Sequence, residues 1–268
     1  MSRGVLCASA GTTFCPGCDL RGYSYLPNAA VPCGGWRELL PDELDRLLHP
    51  GERFPLHVGL VRVDPGVWES FEELREILAA TPFLESARAI AAADRWRGPI
   101  SRAVQSVLRW TVDDVDSFAG IGLCVHPPGL PTVTYDEPRR GLIGLHVDSW
   151  YGDLSPKNVP GRICINLGSS CRHFLFSPVS LSGMELAMKA EGMKLNPRGD
   201  LARGYFRSFP SHPILRLRVG PGEAYIAPTE SISHDGSTQD HTGWDLTLTV
   251  RGRFLADSIK FQQGEPKS

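Results

Sequence analysis

From about residue 119 onward, the sequence is written in short apolar runs separated by Gly- and Pro-containing turns, and this texture narrows the fold sharply. The runs fall at 120–125, 132–135, 142–148, 162–167, 173–178, 214–219, 224–228 and 245–254. Each is short for a helix and bounded by turn residues, as strands are. About eight strands at this spacing imply a sandwich or barrel rather than a parallel α/β sheet. The last run is the most explicit. Leu246, Leu248 and Val250 alternate with Thr247, Thr249, Arg251 and Arg253, so one face of that strand is apolar and the other polar.

The first half reads differently. Apolar residues at helical spacing mark 67–80, 83–96 and 99–110, a strand is expected at 56–63, and 36–48 has helical spacing broken by Pro41. Residues 183–194 read as a short crossover helix. Residues 1–35 are rich in Gly, Cys, Pro and Ser with no sustained period, which implies irregular structure. The expected organisation is one domain, 1–268. It has an irregular Cys/Gly-rich start (1–35), a mostly helical support with one strand (36–118), and a β core (119–256). The class is mainly β with flanking helices (α+β), the helices packed on one face.

The 268 residues carry a formal charge of −2, so no basic field favours nucleic acid or an anionic membrane. No run is long and apolar enough for a transmembrane helix, and the start is too weakly apolar for a signal peptide, leaving a cytoplasmic protein as the expectation. Seven cysteines are an odd count in a chain long enough to fold without disulfides. Cys15 and Cys18 form a C-x-x-C that, with Cys7 and Cys33, has the makings of a zinc site; free thiols are the plainer expectation. Cys124, Cys164 and Cys171 read as small core residues.

The chemistry concentrates at His146-Val147-Asp148, in the run 142–148. On a strand, residues two apart share a face, so an imidazole and a carboxylate stand side by side. Two histidines and one carboxylate on one face, with open positions opposite, form the facial triad of non-haem Fe(II) oxygenases. His234 is the candidate third ligand. It closes the segment that follows Pro221-Gly222-Glu223, and the strand after it carries Arg251 and Arg253. Taken singly, each has a plainer role: a hydrogen-bonded core pair, a turn histidine, a solvated strand face. The ordered set is what favours a metal.

That order, His-x-Asp, then a Pro-Gly-Glu turn, then His, then Arg on the last strand, resembles the Fe(II)- and 2-oxoglutarate-dependent dioxygenases over roughly the last 150 residues. The resemblance implies a double-stranded β-helix (jelly-roll or cupin-like barrel), with His146, Asp148 and His234 as metal ligands. It also implies Fe(II), 2-oxoglutarate and O2 as cofactor and co-substrates. The far carboxylate of 2-oxoglutarate needs a buried cation, for which Arg251 is the first choice and Arg253 the alternative, with Thr249 and Asn166 adding hydrogen bonds. Halogenases related to this family have Gly or Ala where Asp148 stands, so the carboxylate implies hydroxylation.

Substrate contacts are expected from Trp150, Asp153, Arg162 and Arg102, with Arg172 a further candidate for a substrate carboxylate. The phrasing at 162–168 and 226–230 looks like the small bacterial oxygenases that hydroxylate free amino acids in natural-product biosynthesis. The resemblance therefore implies a cyclic imino acid such as pipecolate or proline, or a basic amino acid. Two alternatives remain: a cupin-like metal barrel without 2-oxoglutarate chemistry, and a non-catalytic β-sandwich binding module.

Overall fold

The computed structural model describes residues 6–15, 19–20, 23–33, 35–40, 42–43, 58–111, 118–148, 160–193 and 201–254. The chain begins with five strands: β1 (Leu6–Ala8), β2 (Thr12–Phe14), β3 (Asp19–Leu20), β4 (Tyr23–Pro32) and β5 (Arg37–Glu38). The expectation of an irregular 1–35 is therefore corrected. These strands are edge and cross-sheet pieces whose order comes from backbone pairing, which leaves no period in the sequence. Cys7, for example, lies opposite Arg216 on one side and Glu38 on the other. The helical spacing of 36–48 is overridden at its start, where Arg37–Glu38 pairs with β1; Pro41 and 44–50 lie outside the described residues.

After β6 (Gly59–Arg62) come α1 (Pro65–Glu69), α2 (Glu72–Ala79), α3 (Leu84–Ala91) and α4 (Arg97–Val107). Asp64 caps α1 by accepting from Gly66 N at 2.8 Å, with Pro65 pre-set for the first turn. The single helix expected over 67–80 is two. Ser70 turns its hydroxyl onto the Val67 carbonyl (2.7 Å), a local bond that competes with the helical ladder and divides α1 from α2. The stretch expected as one helix over 83–96 closes α3 at Ala91 and finishes as a 3-10 turn at Asp94–Trp96.

The β core follows: β7 (Ala119–His126), β8 (Tyr135–Asp136), β9 (Gly141–Gly144), β10 (Pro160–Asn166) and β11 (Arg172–Ser180). Then come α5 (Leu181–Ala190), α6 (Leu201–Ser208), β12 (Leu215–Val219), β13 (Glu223–Ala227), β14 (Ile232–Ser237) and β15 (Asp245–Arg253). Two five-stranded antiparallel sheets result, in the orders β14-β11-β12-β1-β5 and β6-β13-β10-β15-β7. A third sheet, also of five strands, runs β2-β4-β9-β8, with β3 paired to β4 beside that path. This is a jelly-roll sandwich whose sheets do not join into a closed barrel. The Pro221-Gly222 turn between β12 and β13 needs its glycine, which sits at φ +70°.

The alternation in the sequence sorts side chains into layers. Ile163, Ile165, Leu167, Leu246, Leu248 and Val250 point outward from β10 and β15 and are buried under Phe71, Leu74, Trp96, Val104 and Val107 of the first helices. Burying each such aliphatic side chain stabilises the fold by about 1.5–3 kcal/mol. Between the sheets lie Phe174, Phe176, Leu215, Leu217 and Val219 from one side and Cys164, Tyr225 and Ala227 from the other. Helices cover both outer faces of the sandwich, not one as expected. Met184, Met188, Tyr205 and Phe206 of α5 and α6 pack on Leu175 and Ile214 of the first sheet, and the amphipathic α6 was not legible as a helix beforehand. No helix among the described residues is long and apolar enough to cross a membrane.

Candidate metal centre

Strand β9 ends at Gly144, two residues before the first candidate ligand. Gly144 has φ +70°, and a Cβ there would collide with the Ala30 carbonyl oxygen, so only glycine fits this close approach to β4. Beyond it, His146 and His234 pair across an isolated antiparallel bridge, exchanging backbone hydrogen bonds of 3.0 and 2.8 Å. Asp148 is held by its own N–H, which donates to the Thr229 carbonyl at 3.1 Å. The expected strand over 142–148 is thus a short strand followed by a bridge, yet His146 and Asp148 still face the same way.

The structure brings His146, Asp148 and His234 together: one ligand atom from each lies within 4.8 Å of the others. Asp148 Oδ1 stands 3.6 Å from His146 Nε2 and 3.7 Å from His234 Nε2. Both Nδ1 atoms are engaged elsewhere, His146 with the Gly144 carbonyl (3.0 Å) and His234 with the Ile232 carbonyl (3.2 Å). A carbonyl accepts only, so each Nδ1 carries a proton, and in the neutral ring each Nε2 is left to ligate on the side facing Asp148. Asp148 Oδ2 is buried without a hydrogen-bond partner. A divalent cation at this point would satisfy two imidazole lone pairs and an otherwise orphaned carboxylate oxygen, so the donor set fits a metal.

The electrostatics agree. Burial alone would raise the Asp148 carboxyl, but His146, His234 and Arg162 outweigh it and hold it well below the usual carboxylate range. Burial and the neighbouring His146 ring push His234 down to about 3. Burial opposes charge on His146 as well, yet the Asp148 and Asp235 carboxylates raise its pKa. The site therefore keeps Asp148 ionised and His234 neutral, while His146 takes up a proton more readily than a free imidazole, a proton that a bound metal would displace.

Around the triad, Arg162 Nη2 donates to Asp148 Oδ1 at 2.9 Å. Arg251, directly opposite Arg162 on β15, is tied to the carboxylate of Glu230. Arg253, one strand step further out, is exposed. Thr249 is buried and its hydroxyl donates to Cys164 Sγ at 3.7 Å. Asn166 is taken up by the loop after β10. Its Nδ2 donates to the Ser170 and Val219 carbonyls (2.8 and 2.9 Å), and its Oδ1 accepts from Gly168 N (3.0 Å). Its amide hydrogens therefore have none left for a co-substrate. Arg102 is exposed on α4, which packs by Ala103, Val104 and Val107 against the outer face of the β10–β15 sheet, so that sheet separates it from the triad. Trp150 and Asp153 lie outside the described residues.

Two polar groups near the triad, Asp235 and Glu230, escaped the sequence. Asp235 is buried and accepts from Thr134 Oγ1 (2.8 Å) and Gly236 N (2.7 Å), with its Oδ2 3.9 Å from His146 Nδ1. Glu230 is the partner of Arg251. Arg172 lies between the sheets, 3% exposed, beside Cys164 and Asp245. Arg172, expected among the candidates for a substrate carboxylate, shares strand parity with Phe174 and Phe176, so alternation aims it inward. The proposed Cys7, Cys15, Cys18 and Cys33 cluster gains no support. Cys18 is outside the described residues, no disulfide joins Cys7, Cys15 or Cys33, and the triad is the only convergent group of metal-binding side chains among the described residues.

No protein-family profile matches the chain, and no curated protein matches its sequence. Among solved structures it is similar to the Kdo hydroxylase KdoO, a non-heme Fe(II) alphaketoglutarate dependent dioxygenase, at 12% identity over 84% of this chain and 87% of that one, with a TM-score of 0.39. It is also similar to HygX from Streptomyces hygroscopicus with iron bound, at 14% identity over 80% and 86% of the two chains, with a TM-score of 0.30. HygX with nickel and 2-oxoglutarate bound gives 14% identity over 81% and 87%, with a TM-score of 0.31. These likenesses are too distant to assign any residue here a role.

Proposed function

We propose that this chain is an Fe(II)- and 2-oxoglutarate-dependent oxygenase that hydroxylates a small polar substrate. The observation that carries the proposal is the two-histidine, one-carboxylate face with both Nε2 lone pairs and an orphaned carboxylate oxygen converging. His146, Asp148 and His234 would hold the metal, which when bound supplies oxidative decarboxylation of the oxo acid coupled to oxygen insertion into a C–H bond. The protein's own contributions are tangible. Gly144 and Ile232 carbonyls hold the imidazole tautomers, Arg162 keeps Asp148 ionised and oriented, and Phe174 packs against the His234 ring with centroids 5.8 Å apart. His234 and the Asp148 Oδ2 atom are buried, which strengthens the polar contacts they make.

Charges of both signs stand next to the triad, with Arg162 and Arg251 partly exposed and Glu230 beside Arg251. That suits a zwitterionic or acidic substrate, and a free amino acid remains the first candidate on the resemblance of the sequence. The test is to incubate the iron-loaded protein with 2-oxoglutarate, O2 and a panel of amino acids and sugar acids. The expected result is succinate release with a mass gain of one oxygen atom in one substrate class. Metal uptake with no oxo-acid binding would favour the cupin-like barrel, and no metal uptake the binding module.

A further inference from the structure

An oxo acid that chelates the metal through its keto acid end must still place its far carboxylate, and an anion between two sheets is costly unless a cation meets it. Arg251 was expected to do this, but it stands opposite Arg162 in the tier of the triad, partly exposed, and is already held by Glu230. Deeper in, Arg172 at the start of β11 points between the sheets, on the same face as Phe174 and Phe176. Its Nη2 lies against β14 so closely that a Cβ at Gly236 would collide with it. Its Nη1 donates to Cys164 Sγ at 2.9 Å. Gly236 is two residues beyond the ligand His234, and Cys164 two residues beyond Arg162. At about 3.3 Å per residue, both measure roughly 7 Å below the tier of the triad. A five-carbon diacid has four C–C bonds of about 1.5 Å, which matches that depth once a hydrogen bond is added.

The present partners of Arg172 leave its donors poorly used. A thiol is a weak acceptor, Nε has no hydrogen bond, and Asp245 Oδ1, 3.6 Å from Nε, has none either. Asp245 supplies counter-charge that keeps the guanidinium stable in its buried place, and it is itself steadied by His126 Nδ1 at 3.0 Å. The Thr249 hydroxyl meets the same sulfur at 3.7 Å, adding a donor beside the guanidinium. Resting on the oxygenase reading above, we propose that Arg172 on β11, and not an arginine of the last strand, receives the far carboxylate of the oxo acid. Arg162 and Arg251 are then left in the tier of the triad, partly exposed.

The test is binding, not turnover. Protein loaded with Co(II) without O2 is titrated by calorimetry with 2-oxoglutarate and with pyruvate, which chelates alike but lacks the far carboxylate. Wild type should prefer the diacid by about 100-fold or more, as bidentate arginine pairing predicts. Arg172→Met should collapse that preference with pyruvate affinity unchanged. Arg172→Lys keeps the charge that Asp245 requires, so it covers the case in which the methionine variant does not fold; it should lose about tenfold or more for the diacid alone, since it lacks the planar fork. Arg251→Ala should retain the preference. The assignment is overturned if both Arg172 variants keep full discrimination, or if Arg251→Ala loses it. If metal-loaded wild type binds neither oxo acid, the oxygenase reading falls, and the assignment with it.

Discussion

The two faces of the β10–β15 pair make opposite use of the same strands. Outward, Ile163, Ile165, Leu246, Leu248 and Val250 are all at most 1% exposed and covered by helices. Inward, Arg162, Cys164, Asn166, Thr247, Thr249 and Arg251 line the polar side. Side chains two apart share a face, so one strand can hold the fold with half its residues and leave the other half for chemistry. The contrast teaches where changes should register: outward in stability, inward in binding.

The sharpest way to break the comparison is at the triad. His234→Ala or His146→Ala should abolish stoichiometric Fe(II) or Co(II) uptake, measured by metal analysis after desalting, while the far-ultraviolet spectrum stays that of the wild type. Retained uptake would mean that these imidazoles are structural. Next in size, Leu248→Ala should lower unfolding free energy by about 2–5 kcal/mol, the usual cost of an aliphatic cavity, with metal stoichiometry unchanged. A loss of metal in that variant would show that the two faces are coupled.

A third effect belongs to the opposite flank. Burial pushes His212, beneath α6, down to about 4. Between its unfolded value near 6.5 and the native value, the unfolded chain binds more protons, so stability is complete above pH 6.5 and declines as pH falls toward 4. The decline attributable to this residue is at most about 3.5 kcal/mol, at about 1.4 kcal/mol per pKa unit. Urea titrations across this window should lose that slope in His212→Asn, and an unchanged slope would assign the acid lability elsewhere. The smallest effect is expected from Arg253→Ala. At an exposed strand end it should change stability by no more than about 0.5 kcal/mol and leave metal uptake alone. A larger change would extend the working inner face past Arg251.

Much of this contrast was legible beforehand because it is local. The alternation in 245–254 assigns each residue of β15 to a face, and His146 and Asp148 are aligned by a two-residue step, whatever the rest of the chain does. The N-terminal strands were not legible, because β1 and β4, on which β2, β3 and β5 pair, are themselves ordered by hydrogen bonds to β12 and β9, partners more than a hundred residues away. The same holds for Asn166, whose polarity suggested ligand binding but whose amide closes a loop. The division of the helical run at Ser70 depended on one hydroxyl turning back on the backbone.

What the sequence determined by itself was the class of fold, the inward and outward sides of its strands, and the ordered donor set, since each follows from periodicity or from residue type. The tertiary structure decided which cation sits at which depth. Arg251 and Arg172 look alike in sequence, one on the last strand and one before an apolar run. Only the packing of one sheet over the other places Arg251 in the tier of the triad against Glu230 and Arg172 between the sheets beside Cys164 and Asp245, and burial sets how strongly a guanidinium holds an anion.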